Sequence, residues 1–177
     1  MKNFKLNEKD ILSNQDWTFP TTTYYGPGRF NEIGKFCEEF DIKNPLIVTD
    51  SGSKDLPFIK KLIALLSKNS IKSDLFYNIS PNPRDDEISK GCDQFKNGSH
   101  DSIIAIGGGS AMDGGKSICL TVNSETPLWD FEFEQPVPKI TKENAFPKII
   151  TIPTTAGTGA ETEITAMVTH LEKGMKF

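Results

Sequence analysis

Three consecutive glycines, Gly107, Gly108 and Gly109, followed by Ser110 and Asp113, are the residues of this 177-residue chain best suited to hold an anion. Without Cβ atoms, the backbone of such a turn can come close to a bound group. The flanks supply a frame. Ile103 to Ile106 is a short, β-branched apolar run, the signature of a strand covered on both faces. After the glycines, Met112, Gly115, Cys119 and Val122 fall on one face of a helix, with Ser110 predicted as its N-cap and Asp113 in capping-box position. Free N–H groups and the helix dipole then both point at the turn, which makes a phosphate, and in particular a nucleotide pyrophosphate, the expected ligand. The same glycines also suit a tight turn that binds nothing. Two familiar motifs fail: Met112 stands where GxGxxG needs a small residue, and Ser110 stands where GxxxxGK[ST] needs its first glycine.

A second group follows the apolar KIITI run ending at Ile152. The segment PTTAGTGAETE gathers the hydroxyls of Thr154, Thr155, Thr158 and Thr162 among Gly157 and Gly159. Hydroxyls of this size can donate to ribose and phosphate oxygens while leaving room for a flat base. Thr158 and Glu161 again have capping-box spacing, so a polar loop with a capped short helix is the plainer alternative. A third candidate is Asp50, the acid that closes the PLIVTD run.

These groups need strands to carry them, and the hydropathy pattern provides a strand–helix alternation. Strands are predicted over 45–50, 74–79, 103–106 and 148–152. Helices are predicted after Gly28 (Phe30, Ile33, Cys37 and Phe40 inward), over 56–66 (Ile59, Leu62, Ile63 and Leu66 inward) and over 84–97 (Ile88, Cys92 and Phe95 inward), with the helix after Ser110 as the fourth. Alternation of this kind predicts an α/β, Rossmann-like, largely parallel sheet with helices on both faces. In such sheets ligands bind beyond the carboxyl ends of the strands, where Asp50, the glycine turn and Thr154–Thr155 all fall. Residues 1–16 read as a polar tail and 17–177 as one domain, with Trp17 to Tyr25 extended. Residues 124–147, with four prolines, read as a surface excursion whose Trp129, Phe131 and Phe133 tuck against the domain.

Composition excludes several classes. Net charge is −4 without a Lys/Arg cluster, which argues against nucleic acid and anionic membrane as partners. No apolar run approaches a bilayer span, and the first residues lack a signal peptide's apolar core, so a cytoplasmic setting is expected. Cys37, Cys92 and Cys119 are odd in number and far apart, as packed, reduced thiols are.

Taken together, GGGSAMD and IPTTAGTGAETE resemble the iron-containing (group III) alcohol dehydrogenases of the dehydroquinate synthase-like superfamily. WTFP, YYGPGR, LIVTD, PNPRDDEI and PLWDFE add to the likeness in the family's order, over about residues 17 to 177. The resemblance implies a dinucleotide-binding domain of an NAD-dependent alcohol dehydrogenase acting on a small alcohol or aldehyde. Gly107, Gly108, Gly109 and Ser110 would hold the pyrophosphate, and Asp113 would lie toward the nicotinamide ribose. Thr154, Thr155 and Thr158 would line the cleft. Asp50 would meet the adenosine ribose and favour NAD over NADP by repelling a 2′-phosphate. The family's metal, Fe²⁺ or Zn²⁺, is held by one Asp and three His of a following all-helical domain. Here the chain stops in a predicted hairpin around His170, as a fragment or truncated product would. His100 and His170 match no ligand position and are expected to be solvated surface residues. The resemblance therefore implies no catalytic and no metal residue in this chain, no turnover by the chain alone, and a tendency to homo-oligomerise. Two further possibilities are a nucleotide-binding module without catalysis and a lyase like dehydroquinate synthase.

Overall fold

A computed structural model of the chain describes residues 15–18, 21–136, 138–139 and 146–176. Most of the predicted tail, 1–14, lies outside the described residues, and Gln15 and Asp16 belong to a first strand. That strand, β1 (Gln15–Thr18), pairs antiparallel with β2 (Thr22–Tyr25). After Gly28, whose φ of 81° suits glycine, a 3-10 turn (Arg29–Glu32) runs into α1 (Ile33–Glu39).

The centre is a four-stranded parallel sheet of β3 (Pro45–Asp50), β4 (Asp74–Ile79), β5 (Ser102–Gly107) and β6 (Lys148–Pro153), in the spatial order β4-β3-β5-β6. The β-branched runs of β3 and β5 form its interior and are covered on both faces, whereas β6 lies at the edge without a buried residue, Ile149 standing 36% exposed. Leu46, Val48 and Ile103 face one side and meet Ile88 and Phe95 of α3 (Asp85–Asn97), Ile118 of α4 (Gly109–Thr121) and Val122, which caps α4. Ile47, Ile104 and Ile106 face the other and meet Ile33 and Cys37 of α1 and Ile59, Leu62 and Leu66 of α2 (Pro57–Lys68). Each such aliphatic side chain removed from water contributes about 1.5–3 kcal/mol, the main return on the period-2 pattern of the strands. Ile63 departs from expectation. It stands 38% exposed, because Ile59, Leu62 and Leu66 already fill the contact with the sheet.

The chain runs from β3 outward to β4 across one face, then returns past β3 to β5 across the other. The order therefore reverses between β3 and β5, and their carboxyl ends, Asp50 and Gly107, flank the crevice that such a reversal leaves open. Thr49 ties the two strands there, its Oγ1 donating to the Ile106 carbonyl at 2.7 Å.

In the 124–147 excursion, a 3-10 turn (Leu128–Phe131) packs Leu128 and Trp129 on the sheet-covering cluster, while Phe133 is 91% exposed and does not tuck in. Residues 137 and 140–145 of the excursion lie outside the described set. The hairpin predicted around His170 forms, from β7 (Thr169–His170) and β8 (Met175–Lys176) after β6, with Gly174 of its turn in the left-handed region.

Neither histidine is a solvated surface residue, contrary to expectation: His100 is buried and His170 is half-buried. The side chain of His100 is shut between Phe95, the Asn44 carbonyl (Nδ1···O 3.0 Å) and Asp74 (Nε2···Oδ2 3.4 Å). His170 lies flat on Trp129, ring centroids 4.7 Å apart, with Nδ1 3.6 Å from Asp85 Oδ2. Each ring found an aromatic face and a carboxylate contributed by a segment far off in sequence, which no local pattern announces. Neither histidine sits in the crevice.

Candidate functional site

The glycine turn occupies the middle of the crevice. β5 ends at Gly107, whose φ of 146° no L side chain adopts comfortably, and a Cβ there would fall 2.7 Å from the Ala111 Cβ and 3.1 Å from Asp50 Oδ2. The helix α4 starts at Gly109, with Gly108 as its N-cap in an extended conformation (φ −80°, ψ −174°). The first intrahelical bond is Met112 N–H to the Gly108 carbonyl, 3.2 Å. The N–H groups of Gly109, Ser110 and Ala111 precede it, so the helix itself offers them no acceptor. α4 lies tight on β5 because Gly115 carries no side chain: a Cβ there would come within 2.5 Å of the Ala105 Cβ.

Ser110 is therefore not the N-cap. It stands one residue inside the helix, and its hydroxyl donates instead to the Pro81 carbonyl, 2.6 Å away in the loop after β4. Asp113 closes no capping box either. Its Oδ1 lies 3.6 Å from Lys116 Nζ and the carboxylate takes the Met167 N–H. Burial pushes the Asp113 carboxyl above its ordinary range, with Lys116 and the Met167 N–H pulling the other way.

Asp50 stands beside the turn. Its carboxylate accepts from Gly52 N–H (3.0 Å) and from the Ser53 hydroxyl (2.7 Å), which folds the 51–53 segment back on the strand end and fixes the carboxylate at the crevice mouth.

The threonine segment forms the opposite wall. Thr154 N–H donates to the Gly107 carbonyl at 2.9 Å, continuing the β5–β6 pairing past the sheet. Thr155 Oγ1 lies 3.4 Å from the point a Gly108 Cβ would occupy, and the Thr158 side chain lies 3.2 Å from the corresponding point at Gly109. The short capped helix offered as the plainer alternative after Thr158 does not form. Thr158 Oγ1 accepts Ala160 N–H (3.3 Å), and Thr162 N–H turns back to the Gly159 carbonyl (2.9 Å), giving successive turns. Gly157 and Gly159, both at positive φ, favour turns over helix.

The sequence reading passed over the residue that holds this wall. Lys116, on α4, sends its ammonium to the carbonyls of Ala160 (2.9 Å), Glu163 (3.3 Å) and Thr165, besides Asp113. A largely buried cation thus gathers the loop onto the helix that begins at the glycine turn. Its only sequence signal was a lysine spaced three after an acid on a helix otherwise lined by small residues.

Asp50, Gly107, Gly108, Gly109, Thr155 and Thr158 thus converge, with Thr154 tied to Gly107 and the Ser110 N–H beside them. The Asp113 side chain lies one turn deeper, toward Lys116. A separate open cleft of about 800 Å³ runs between Asp85, Trp129 and His170. It is lined by the carboxylates of Asp85, Asp86, Asp93, Glu125 and Glu172, a poor setting for an anion, whereas the glycine turn presents donors. Among the described residues no three His, Cys, Asp or Glu side chains come together to hold a metal ion. No helix of the described residues is long and apolar enough to cross a membrane.

Comparison with known proteins matches residues 20–177 to the family model of iron-containing alcohol dehydrogenases. The chain is 32% identical to the choline dehydrogenase of Bacillus subtilis over 174 residues, 97% of this chain and 43% of that protein. A crystal structure of 1,3-propanediol oxidoreductase superposes with a TM-score of 0.78 at 30% identity, covering 86% of this chain and 38% of the other. The sulfoacetaldehyde reductase of Bifidobacterium kashiwanohense, solved in complex with NAD+, superposes with a TM-score of 0.74 at 28% identity, covering 85% and 39%. The chain thus spans 38–43% of the length of these three relatives.

Proposed function

The chain belongs to the iron-containing alcohol dehydrogenase family, and from that premise we propose that residues 17–177 are a dinucleotide-binding domain, the NAD-holding part of an enzyme moving hydride between a small alcohol or aldehyde and NAD. The observation that carries this reading is the convergence of the glycine turn, Asp50 and the threonine wall at the point where the strand order reverses. A Cβ at Gly108 or Gly109 would fall 3.4 Å from Thr155 Oγ1 or 3.2 Å from the Thr158 side chain, so bare backbone faces the threonine wall, and a diphosphate seats on its N–H groups as that wall gives way.

In this reading Gly107 makes the turn, and the N–H groups of Gly108, Gly109 and Ser110 receive the pyrophosphate. Thr154, Thr155 and Thr158 offer hydroxyls along the ribose and nicotinamide side. Asp113 sets the nicotinamide ribose end through its place next to Lys116. Asp50 accepts from the adenosine ribose hydroxyls and disfavours a 2′-phosphate, so NAD is preferred to NADP. NAD, when bound, supplies the hydride acceptor at its nicotinamide ring. The sulfoacetaldehyde reductase crystallised with NAD+ supports the choice of nucleotide.

The described residues do not fit a metal site, and no step through iron or zinc is assigned to them. We propose that the 177-residue chain alone binds NAD, holds no stoichiometric iron or zinc, and oxidises no alcohol. A cytoplasmic, homo-oligomeric assembly completes the reading. Ile164 and Phe133, each 91% exposed, are apolar surface that association would cover.

Calorimetry with NAD or ADP-ribose on Gly108→Val tests the reading. Gly108 has an ordinary extended backbone and a Cβ there meets only Thr155, so the fold accepts valine, while two methyls fill the space the diphosphate needs. Binding is expected to vanish with the unfolding midpoint unchanged. Unchanged affinity overturns the phosphate assignment.

A further inference from the structure

Glu87 is a buried carboxylate, 5% exposed, that the proposed site does not use directly. As the third residue of α3 it closes a capping box, Oε2 accepting Arg84 N–H at 3.1 Å. A cap needs no more than that. The same oxygen also accepts Ser80 N–H (3.1 Å) and the Ser80 hydroxyl (3.0 Å), both outside the helix, and Oε1 meets Arg84 Nη2 at 3.2 Å. Ser80 and Arg84 are the two ends of the segment carrying Pro81, Asn82 and Pro83. One carboxylate therefore fixes both ends of a short, proline-stiffened arch.

The arch touches the crevice at one point. The Pro81 carbonyl accepts the Ser110 hydroxyl, in the first turn of α4 immediately after the glycines. On its other side, the Pro83 carbonyl accepts Thr169 N–H (2.7 Å) and Asn82 Oδ1 accepts Lys176 Nζ (3.2 Å), both from the β7–β8 hairpin.

We propose that Glu87 is a positioning residue for the nucleotide site: it holds the 80–84 arch so that the Pro81 carbonyl fixes Ser110, and through it the N–H groups of the glycine turn. The inference rests on the nucleotide reading above. Glu87→Ala releases both ends of the arch. Glu87→Gln keeps one oxygen for Arg84 N–H, Ser80 N–H and the Ser80 hydroxyl, and loses only the partly exposed contact to the arginine tip.

The test is ADP-ribose titration of the full 177-residue chain, with thermal unfolding as a control. Glu87→Ala is expected to weaken binding about five- to tenfold, the worth of one well-placed hydrogen bond, and Glu87→Gln to restore it to within about twofold of wild type. Ser110→Ala should weaken binding by a similar factor in the wild-type background and by less than about twofold in the Glu87→Ala background, because both changes cut one linkage. If Glu87→Ala fails to fold, Ser80→Ala removes the hydroxyl that the same carboxylate (3.0 Å) and the Asn82 carbonyl (2.8 Å) share, loosening the arch, and leaves the cap of α3 intact. It should weaken binding about twofold, and not at all once Ser110 is alanine.

A lower melting temperature with unchanged affinity in these variants would make Glu87 a helix cap alone and overturn the proposal. Additive effects of Glu87→Ala and Ser110→Ala would overturn it too, since the linkage would not run through Ser110. Wild-type chain that binds no ADP-ribose would overturn the nucleotide reading itself, an outcome distinct from either.

Discussion

The glycine turn of Gly107–Ser110 and the threonine loop of Thr154–Glu163 face each other across one crevice, yet they are held by different means. The turn is a product of backbone: a buried strand, a glycine at φ 146°, and a helix pressed on the strand through Gly115. The loop has no regular structure past Pro153 and is largely exposed; beyond the Thr154 N–H bond to Gly107 it is held by side chains, the Lys116 ammonium on three carbonyls, the Thr151 hydroxyl on the Glu161 carbonyl (3.1 Å) and Ala160 packed on Ala111 and Met112. Backbone-made geometry moves only if the fold does. Geometry held by a few side chains can shift on its own, so the loop is the wall able to yield to a ligand.

Substitutions should separate the two. The largest effect is expected at Gly115→Val, where the added atoms meet the Ala105 Cβ within 2.5 Å and the helix must lift off the sheet. Overpacking of that kind costs about 3 kcal/mol, read as a lower urea midpoint for the whole domain. An unchanged midpoint would mean that α4 is not seated as described.

Next, Lys116→Ala should cost about 2 kcal/mol, because three carbonyls lose a charged donor. Its mark is local. Amide exchange should quicken across 158–167 and stay unchanged in β5 and α4. Uniform acceleration in both regions would erase the contrast between the walls.

A smaller effect is expected at the crevice mouth. Asp50→Asn keeps an acceptor for Gly52 N–H and removes the charge, so the preference for NAD over NADP should narrow by about 1 kcal/mol, roughly fivefold, for a partly exposed carboxylate. Equal affinity of the wild-type chain for the two nucleotides would place the adenosine end elsewhere.

A further effect is global and concerns the cores beneath. Burial pushes the Cys37 thiol up to about 11 and Cys119 up to about 12, from an ordinary value of 9.0. The folded chain therefore binds more protons than the unfolded one between about pH 9 and 12. Stability contributed by these thiols is complete below pH 9 and is lost as the pH rises through that window. Chemical denaturation at pH 8 and 10 measures the decline. Rapid alkylation of either thiol in the native chain at pH 8 would contradict their burial.

What the sequence made legible follows the same division. The four sheet strands and the glycine turn were readable because periodicity and glycine placement are local signals with backbone consequences. The strand ranges 45–50 and 74–79 match the structure. Ser110 and Asp113 were misread as caps. A hydroxyl beside a helix start is ambiguous until its partner is known, and the Pro81 carbonyl lies in a loop 29 residues earlier. The short helix that was the alternative reading after Thr158 is absent because Gly157 and Gly159 outweigh one capping pair. His100, His170, Lys116 and Glu87 were invisible in their roles for one shared reason. Each draws its function from partners that only the tertiary fold brings near.

The central claim is that the glycine turn receives nucleotide phosphates. Amide hydrogen exchange with and without saturating ADP-ribose tests it most directly. Protection confined to Gly108–Ala111, with a smaller change over Thr154–Thr158, is the predicted result. Protection centred on the Asp85–Trp129–His170 cleft, with the glycine turn unaffected, would contradict it.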